Sequence, residues 1–235
     1  MGLAVTRRKS RAPLSRERVL SAAVAIADRE GLSAVTMRRL AAVLRVEAMS
    51  LYHHLPGKEA LLDGLVDSIA REVDAEIGRL PRAGGWRQAL RQRCLGARVV
   101  MVRHSWAPGL IGSRPAIPPA LFLHFEATLA TMIEGGFSYH LAHRAMHALG
   151  SMTLGFVHEL FSPVAGDGAA DLSQAHLAQM VETLPHVSAM VASEIHAHDG
   201  NTLGWCDSQA EFEFSLDLLL DGLERKRRAE KRSAT

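Results

Sequence analysis

At 235 residues, with 48% apolar and 22% charged side chains, the chain has a globular composition that excludes disordered and fibrous classes and suffices for one large domain or two small ones. Its net charge of +2 hides an asymmetry: residues 1–60 hold 11 Lys+Arg against 5 Asp+Glu, a net +6, and the remainder holds 16 against 20, a net −4. A basic head on an acidic body suits a phosphate-rich partner at the head end only.

Residues 1–14 are basic, contain Pro13 and lack apolar periodicity, so they are expected to form a flexible arm. Helical periodicity begins after Ser15, a fair N-cap, with Val19, Ala22, Ala23, Ile26 and Ala27 on one side and Gly31 as the stop. Thr36 can cap a second short helix that turns Leu40, Ala41 and Leu44 inward. Arg45-Val46-Glu47 makes the turn into a third, Ala48 to Leu55, which Pro56-Gly57 breaks. A fourth helix starts near Lys58 and carries Leu61, Leu62, Leu65, Ile69 and Val73 along one side. Leu80 to Gly85 reads as a boundary or hinge.

Beyond it every strong signal is helical: Trp86 to His104, Pro118 to Glu134, Ser138 to Phe161, Leu172 to Thr183, Pro185 to His196 and Ser208 to Lys226. Small-residue loops are expected at Pro163 to Gly168 and at Asp199-Gly200-Asn201. The expected fold is all-α, with an N-terminal three-helix helix-turn-helix domain (15–60), a connecting helix (61–79) and a larger helical ligand-binding and dimerisation domain (80–235). Cys94 and Cys206 sit in no zinc spacing and fit a reducing compartment. No run approaches the ~18 apolar residues of a membrane span, so a cytoplasmic protein without a membrane partner is expected.

In a helix-turn-helix the second helix lies in the major groove and presents its N-terminal residues to base edges. With Leu51 and Leu55 turned to the head's core, Ala48, Met49, Ser50, Tyr52 and His53 are left to face the groove, with His54 beside them. Ser50 and His53 can hydrogen-bond bases or phosphates, and Ala48 and Met49 can touch thymine methyl groups. Tyr52, Thr36 and Arg38 are the expected backbone contacts. Lys58 adds a cation at the positive end of the fourth helix. Arg45 stands at a turn position where glycine is usual, which costs a non-glycine residue roughly 1 kcal/mol if φ is positive.

Thr36-Met37-Arg38-Arg39-Leu40-Ala41, Val46-Glu47, Ser50-Leu51-Tyr52-His53-His54-Leu55, Lys58 and Leu61-Leu62-Asp63 together resemble the DNA-binding head of the tetracycline-repressor (TetR) family. The body is similar to that family through Gly112-Ser113-Arg114-Pro115, Gly136-Phe137-Ser138 and Thr153-Leu154-Gly155. The resemblance implies a homodimer whose bodies bind a small molecule and thereby release double-stranded operator DNA. Against the family's tetracycline site, Asp74 and Leu110 stand where drug-contacting and metal-ligating histidines are found, and Glu159 stands at a carboxylate position. A magnesium-tetracycline effector is therefore not expected.

The last helix, with Phe212, Phe214, Leu216, Leu218, Leu219, Leu220 and Leu223, is too apolar for one solvent face, and with Ser138 to Phe161 it suits a dimer interface. His104, Trp106, Ile111, Phe125, Leu129, Met146, His147 and Met152 are the expected ligand-binding residues, with Phe122 and Phe156 as further lining, which suits a hydrophobic or aromatic effector. Ten of the twelve histidines lie beyond residue 100. His143 and His147 are spaced to chelate a metal, but no carboxylate joins them at ligand spacing, so hydrogen-bonded interface or pocket-wall residues are expected and a metal site is not. No catalytic constellation stands out, and neither enzyme activity nor a cofactor is expected. The expected function is a ligand-responsive transcriptional regulator, a repressor of a palindromic operator. An activator of the same fold, or a helical small-molecule-binding protein with an incidental helix-turn-helix, are the alternatives.

Overall fold

The computed structural model describes residues 13–81, 84–157, 183–195 and 208–233. Most of the expected arm, the expected helix from Leu172, both small-residue loops, His158, Glu159 and Cys206 lie outside them. Among the described residues the secondary structure is helical throughout, and no helix is long and apolar enough to cross a membrane. The helices are α1 (Arg16–Glu30), α2 (Met37–Leu44), α3 (Ala48–Tyr52), α4 (Lys58–Gly78), α5 (Trp86–Arg103), α6 (Ala107–Ser113), α7 (Pro119–Glu134), α8 (Tyr139–Gly155), α9 (Pro185–Ile195) and α10 (Ser208–Ser233).

Two compact units divide the chain. The first comprises residues 1–81 and 96–128, and thus takes in α1 to α4, the C-terminal part of α5, α6 and the start of α7; the second comprises 82–95 and 129–235. The segment 96–128, read from the sequence as part of the body, packs with the head.

In the first unit the caps set the helix starts. The Ser15 hydroxyl accepts from the Arg18 amide at 3.2 Å and the Thr36 hydroxyl from the Arg39 amide at 3.1 Å, each satisfying one of the orphan donors of a first turn. Val19, Ala23 and Ile26 of α1, Leu40 and Leu44 of α2, Leu51 of α3, Leu55, and Leu61 and Leu65 of α4 are buried in one cluster. Burying each of the larger side chains contributes roughly 1.5 to 3 kcal/mol. A Cβ on Gly64 would sit 2.7 Å from a methyl of Leu20, so this glycine permits the close approach of α1 and α4.

Three differences from the sequence reading have local causes. α3 ends at Tyr52, not Leu55, because Pro56 disfavours helical backbone at the residue before it, and Leu55 enters the core from a turn. α6 falls between the expected helices Trp86 to His104 and Pro118 to Glu134, where Pro108, Gly109 and Gly112 weaken the helical signal. Pro108 lies in its first turn, where the missing amide costs nothing. α10 continues to Ser233, its basic end complementing the helix dipole.

The second unit packs Leu90 and Cys94 of α5, Met132 of α7, Leu141, Ala145 and Leu149 of α8 and Phe212, Leu216 and Leu220 of α10 around Phe137. Phe137 meets Trp86 edge-on at 4.8 Å, and Arg227 donates to the Gly135 carbonyl at 2.8 Å with its guanidinium 5.6 Å from the Trp86 ring. Burial pushes the Cys94 thiol up to about 11, against a hydrogen bond with Thr153.

Candidate DNA-binding interface

α2 and α3 are joined by a turn in which Arg45 adopts φ 54° and ψ 52°, the one positive-φ residue other than glycine among those described. The Arg45 amide donates to the Ala42 carbonyl at 3.3 Å and the Val46 amide to the Ala41 carbonyl at 3.0 Å. This is the paired closing pattern of a Schellman motif. α7 closes identically: the Gly136 amide donates to Ile133 and the Phe137 amide to Met132, with Gly136 at φ 82°. Arg45 therefore occupies a glycine's place in an otherwise regular turn, and its side chain is exposed.

The exposed surface around this turn is basic and polar. Two adjacent arginines have different fates. Arg39 forks onto Glu30, Nη2 to Oε1 at 2.8 Å and Nε to Oε2 at 3.2 Å, which holds the Glu30 carboxyl below its ordinary range and is spent within the head. Arg38 is exposed and pairs with no carboxylate among the described residues. Thr36, Tyr52, His53 and Lys58 are exposed as well, and Met49 keeps 71% of its surface in solvent. Ser50 and His54 are half-buried. Ala48, expected to face the groove, is half-buried and packs on the head's core.

Gly57, at φ 102°, brings the chain into α4 without a side-chain cap, so the first amides of α4 are left beside Lys58. Glu47 precedes α3, is exposed and makes no capping bond. A carboxylate there can accept from a cytosine amine. The sequence reading did not single it out, although its position at the start of the reading helix was visible.

α4 carries a ladder of acidic side chains, Glu59, Asp63, Asp67, Glu72 and Asp74, met by partners from α1, the end of α5, the end of α6 and α7. Arg114, past the end of α6, is only 8% exposed and donates to Glu59 at 2.7 Å and, through Nε, to Asp63 at 2.8 Å. These carboxylates raise its pKa, Glu59 most. Asp67 is buried and accepts from the Ala120 amide at 3.2 Å, capping the start of α7, with Arg16 3.8 Å away. Asp74 pairs with His124 Nδ1 at 2.8 Å, and Glu72 meets Arg103 and His104.

His104 is therefore not a free handle for a ligand. Its Nδ1 lies 2.7 Å from Asp28 and its Nε2 3.1 Å from Glu72, while Trp106 Nε1 donates to the same Asp28 oxygen at 2.7 Å. Trp106 and Ile111 pack on the head's core, and Leu110 is buried in it. Of the other residues expected to meet a ligand, Phe125 is half-buried beside His124, and Phe122 is exposed. Leu129, Met146, Met152 and Phe156 are half-buried against the core of the second unit. His147 is exposed, 3.2 Å from His143.

Residues 19–65 match the family described as "Bacterial regulatory proteins, tetR family", and residues 80–227 match "Tetracyclin repressor-like, C-terminal domain". Over 128 residues the chain is 41% identical to the HTH-type transcriptional repressor DrrR1 of Streptomyces coeruleorubidus, a match that covers 52% of this chain and 46% of that protein, about half its length. Apo ActR from Streptomyces coelicolor is similar in structure with a TM-score of 0.71 at 26% identity, covering 94% of this chain and 100% of ActR. ActR in complex with actinorhodin gives 0.68 at 28% identity, covering 91% and 96%.

Proposed function

This chain belongs to the TetR family, and on that premise we propose that it is a ligand-responsive transcriptional repressor that binds a palindromic operator as a homodimer. The observation that carries the reading is the surface of α2, α3 and the start of α4. Thr36, Arg38, Tyr52, His53 and Lys58 are exposed there while the neighbouring Arg39 is committed to Glu30. Arg38 and Lys58 supply phosphate charge, Thr36 and Tyr52 phosphate hydrogen bonds, and Ser50, His53 and Met49 the base edges. Glu47 joins them as a reader of cytosine.

The exposed faces of α8 and α10 form the dimer contact. Phe214 and Leu218 stay 63% and 56% exposed in the single chain although α10 buries Phe212, Leu216 and Leu220 on its other side. Apolar stripes of this kind are covered in two-fold interfaces. The effector is a small hydrophobic or aromatic molecule, a reading supported by the likeness to ActR, which has been crystallised with actinorhodin. Leu129, Met146 and Met152 remain the candidates for contact with it in the second unit. The ladder on α4 ties α6, α7 and the start of the reading unit together, so a shift of α6 or α7 reaches Lys58 through Arg114 and Glu59.

Selection of bound genomic fragments at two salt concentrations tests the proposal. A repressor recovers discrete palindromic fragments whose affinity falls steeply with salt, as counterion release demands. Recovery without sequence preference, or unchanged affinity after Tyr52→Ala with Lys58→Ala in a folded protein, refutes it.

A further inference from the structure

We propose that His143 and His147 chelate a divalent transition cation of the zinc class on the face of α8 that is exposed in the single chain, beside the proposed dimer contact. The pair lies one turn apart, both rings are exposed, and their Nε2 atoms are 3.2 Å apart with the rings nearly perpendicular, at 80°. Metal–imidazole bonds of about 2.0 to 2.1 Å place two donor nitrogens about 3.4 Å apart at a tetrahedral angle and about 2.9 Å apart at a right angle. The observed separation falls between these limits, so both donors are already at chelating distance on a rigid helical frame.

Without an ion, one ring donates its Nε2 proton to the other. With an ion, both Nε2 lone pairs turn to the metal, each neutral ring keeps its proton on Nδ1, and no net proton is released from the neutral pair. Imidazole donors select Zn²⁺, Ni²⁺ or Cu²⁺ over Mg²⁺ or Ca²⁺. Among the described residues no group of three or more candidate ligands forms, so water or a second copy of the chain completes the coordination. A bound ion staples two successive turns of α8, whose opposite side packs Leu141, Ala145 and Leu149 into the core. The inference rests on this pair alone and not on the repressor reading.

The test uses the full chain stripped of metal with a chelator and titrated calorimetrically with ZnCl₂, NiCl₂ and MgCl₂. Binding of Zn²⁺ and Ni²⁺ but not Mg²⁺ is expected, at one ion per chain, or one per two chains if copies share it. Zinc affinity is expected to fall roughly tenfold or more in His143→Ala with His147→Ala, and to stay unchanged in His140→Ala and His186→Ala. Undiminished zinc binding by the folded double variant overturns the proposal, as does the absence of zinc binding by the parent chain. The single variant His147→Gln gives a second reading: zinc no longer raises its melting temperature, as it does in the parent chain.

Discussion

The Nδ1 atom of His104 lies 2.7 Å from Oδ1 of Asp28, mooring a ring just past the end of α5 to the first helix of the head. With Glu72 on the opposite nitrogen, one buried imidazole holds together three segments that are far apart in sequence. Replacing it with Ala leaves two partly solvated carboxylates without the ring that lies between them and opens a gap in the packing. A loss of roughly 1 to 3 kcal/mol is expected from urea unfolding of His104→Ala. A change below about 0.5 kcal/mol, the range of an ordinary surface substitution, would show that water replaces the ring at no cost.

Neighbouring arginines should separate in a DNA-binding assay. Arg38→Ala is expected to weaken binding to every operator variant alike and to lower the magnitude of the salt slope by about 1, as loss of one phosphate contact does. Arg39→Ala is expected to leave that slope unchanged, because its guanidinium is held by Glu30. Equal slopes for the two variants would contradict the division of labour.

Arg45→Gly is expected to stabilise the fold by about 0.5 to 1 kcal/mol, since glycine adopts the required positive φ without strain. A gain in stability with the salt slope unchanged would identify Arg45 as strain alone. A gain accompanied by a shallower slope would identify it as a phosphate contact whose benefit in binding offsets the turn. Urea unfolding and binding at two salt concentrations on the same preparations decide between them.

Acid should act on the far end of α10. Glu224 is held down to about 2 by hydrogen bonds from Arg227 and then Arg228, against a usual value of 4.5. Its folded-state pKa is depressed, so its contribution to stability is present above about 4.5 and is lost as pH falls toward 2. Glu224→Gln is expected to flatten part of the decline in melting temperature over that window and to lower stability at neutral pH only modestly, the site being partly solvated. An unchanged acid limb would mean that the pair persists in the unfolded chain.

Leu218→Arg is expected to shift the chain from dimer to monomer in sedimentation velocity while preserving its helical circular dichroism, because the substituted position is exposed in the single chain. A dimer of unaltered affinity would relocate the interface away from α10.

The fold was legible because its signals are local. Ser15, Thr36 and Ser138 stand at helix starts as caps, Gly31 at a stop, and the apolar residues of α1, α4 and α10 recur at helical spacing. The partial burial of Ala48 was not legible, because a small residue at the start of a five-residue helix faces core or solvent according to its neighbours in space. The partners of Glu59, Asp63, Asp67, Glu72 and Asp74 were not legible at all. On one strand of sequence they resemble the solvated side of an amphipathic helix, and only the return of residues 103–124 to α4 turns them into contacts. The partners of His104, an expected ligand-binding residue, were hidden for the same reason, since Asp28 and Glu72 lie 76 and 32 positions away.

The ladder on α4 also fixes where this molecule can be cut for engineering. A chimaera that joins this head to a foreign body after residue 60 or 80 would carry α4 or its first turn away from Arg114, Ala120, Arg103, His104 and His124, stranding carboxylates that those residues meet. A junction placed within α7 beyond Thr128, with a matching excision of 82–95, respects the unit as it packs. Sensor swapping is then a matter of exchanging two segments together, and grafts that move the N-terminal helices alone inherit an acidic strut with nothing to answer it.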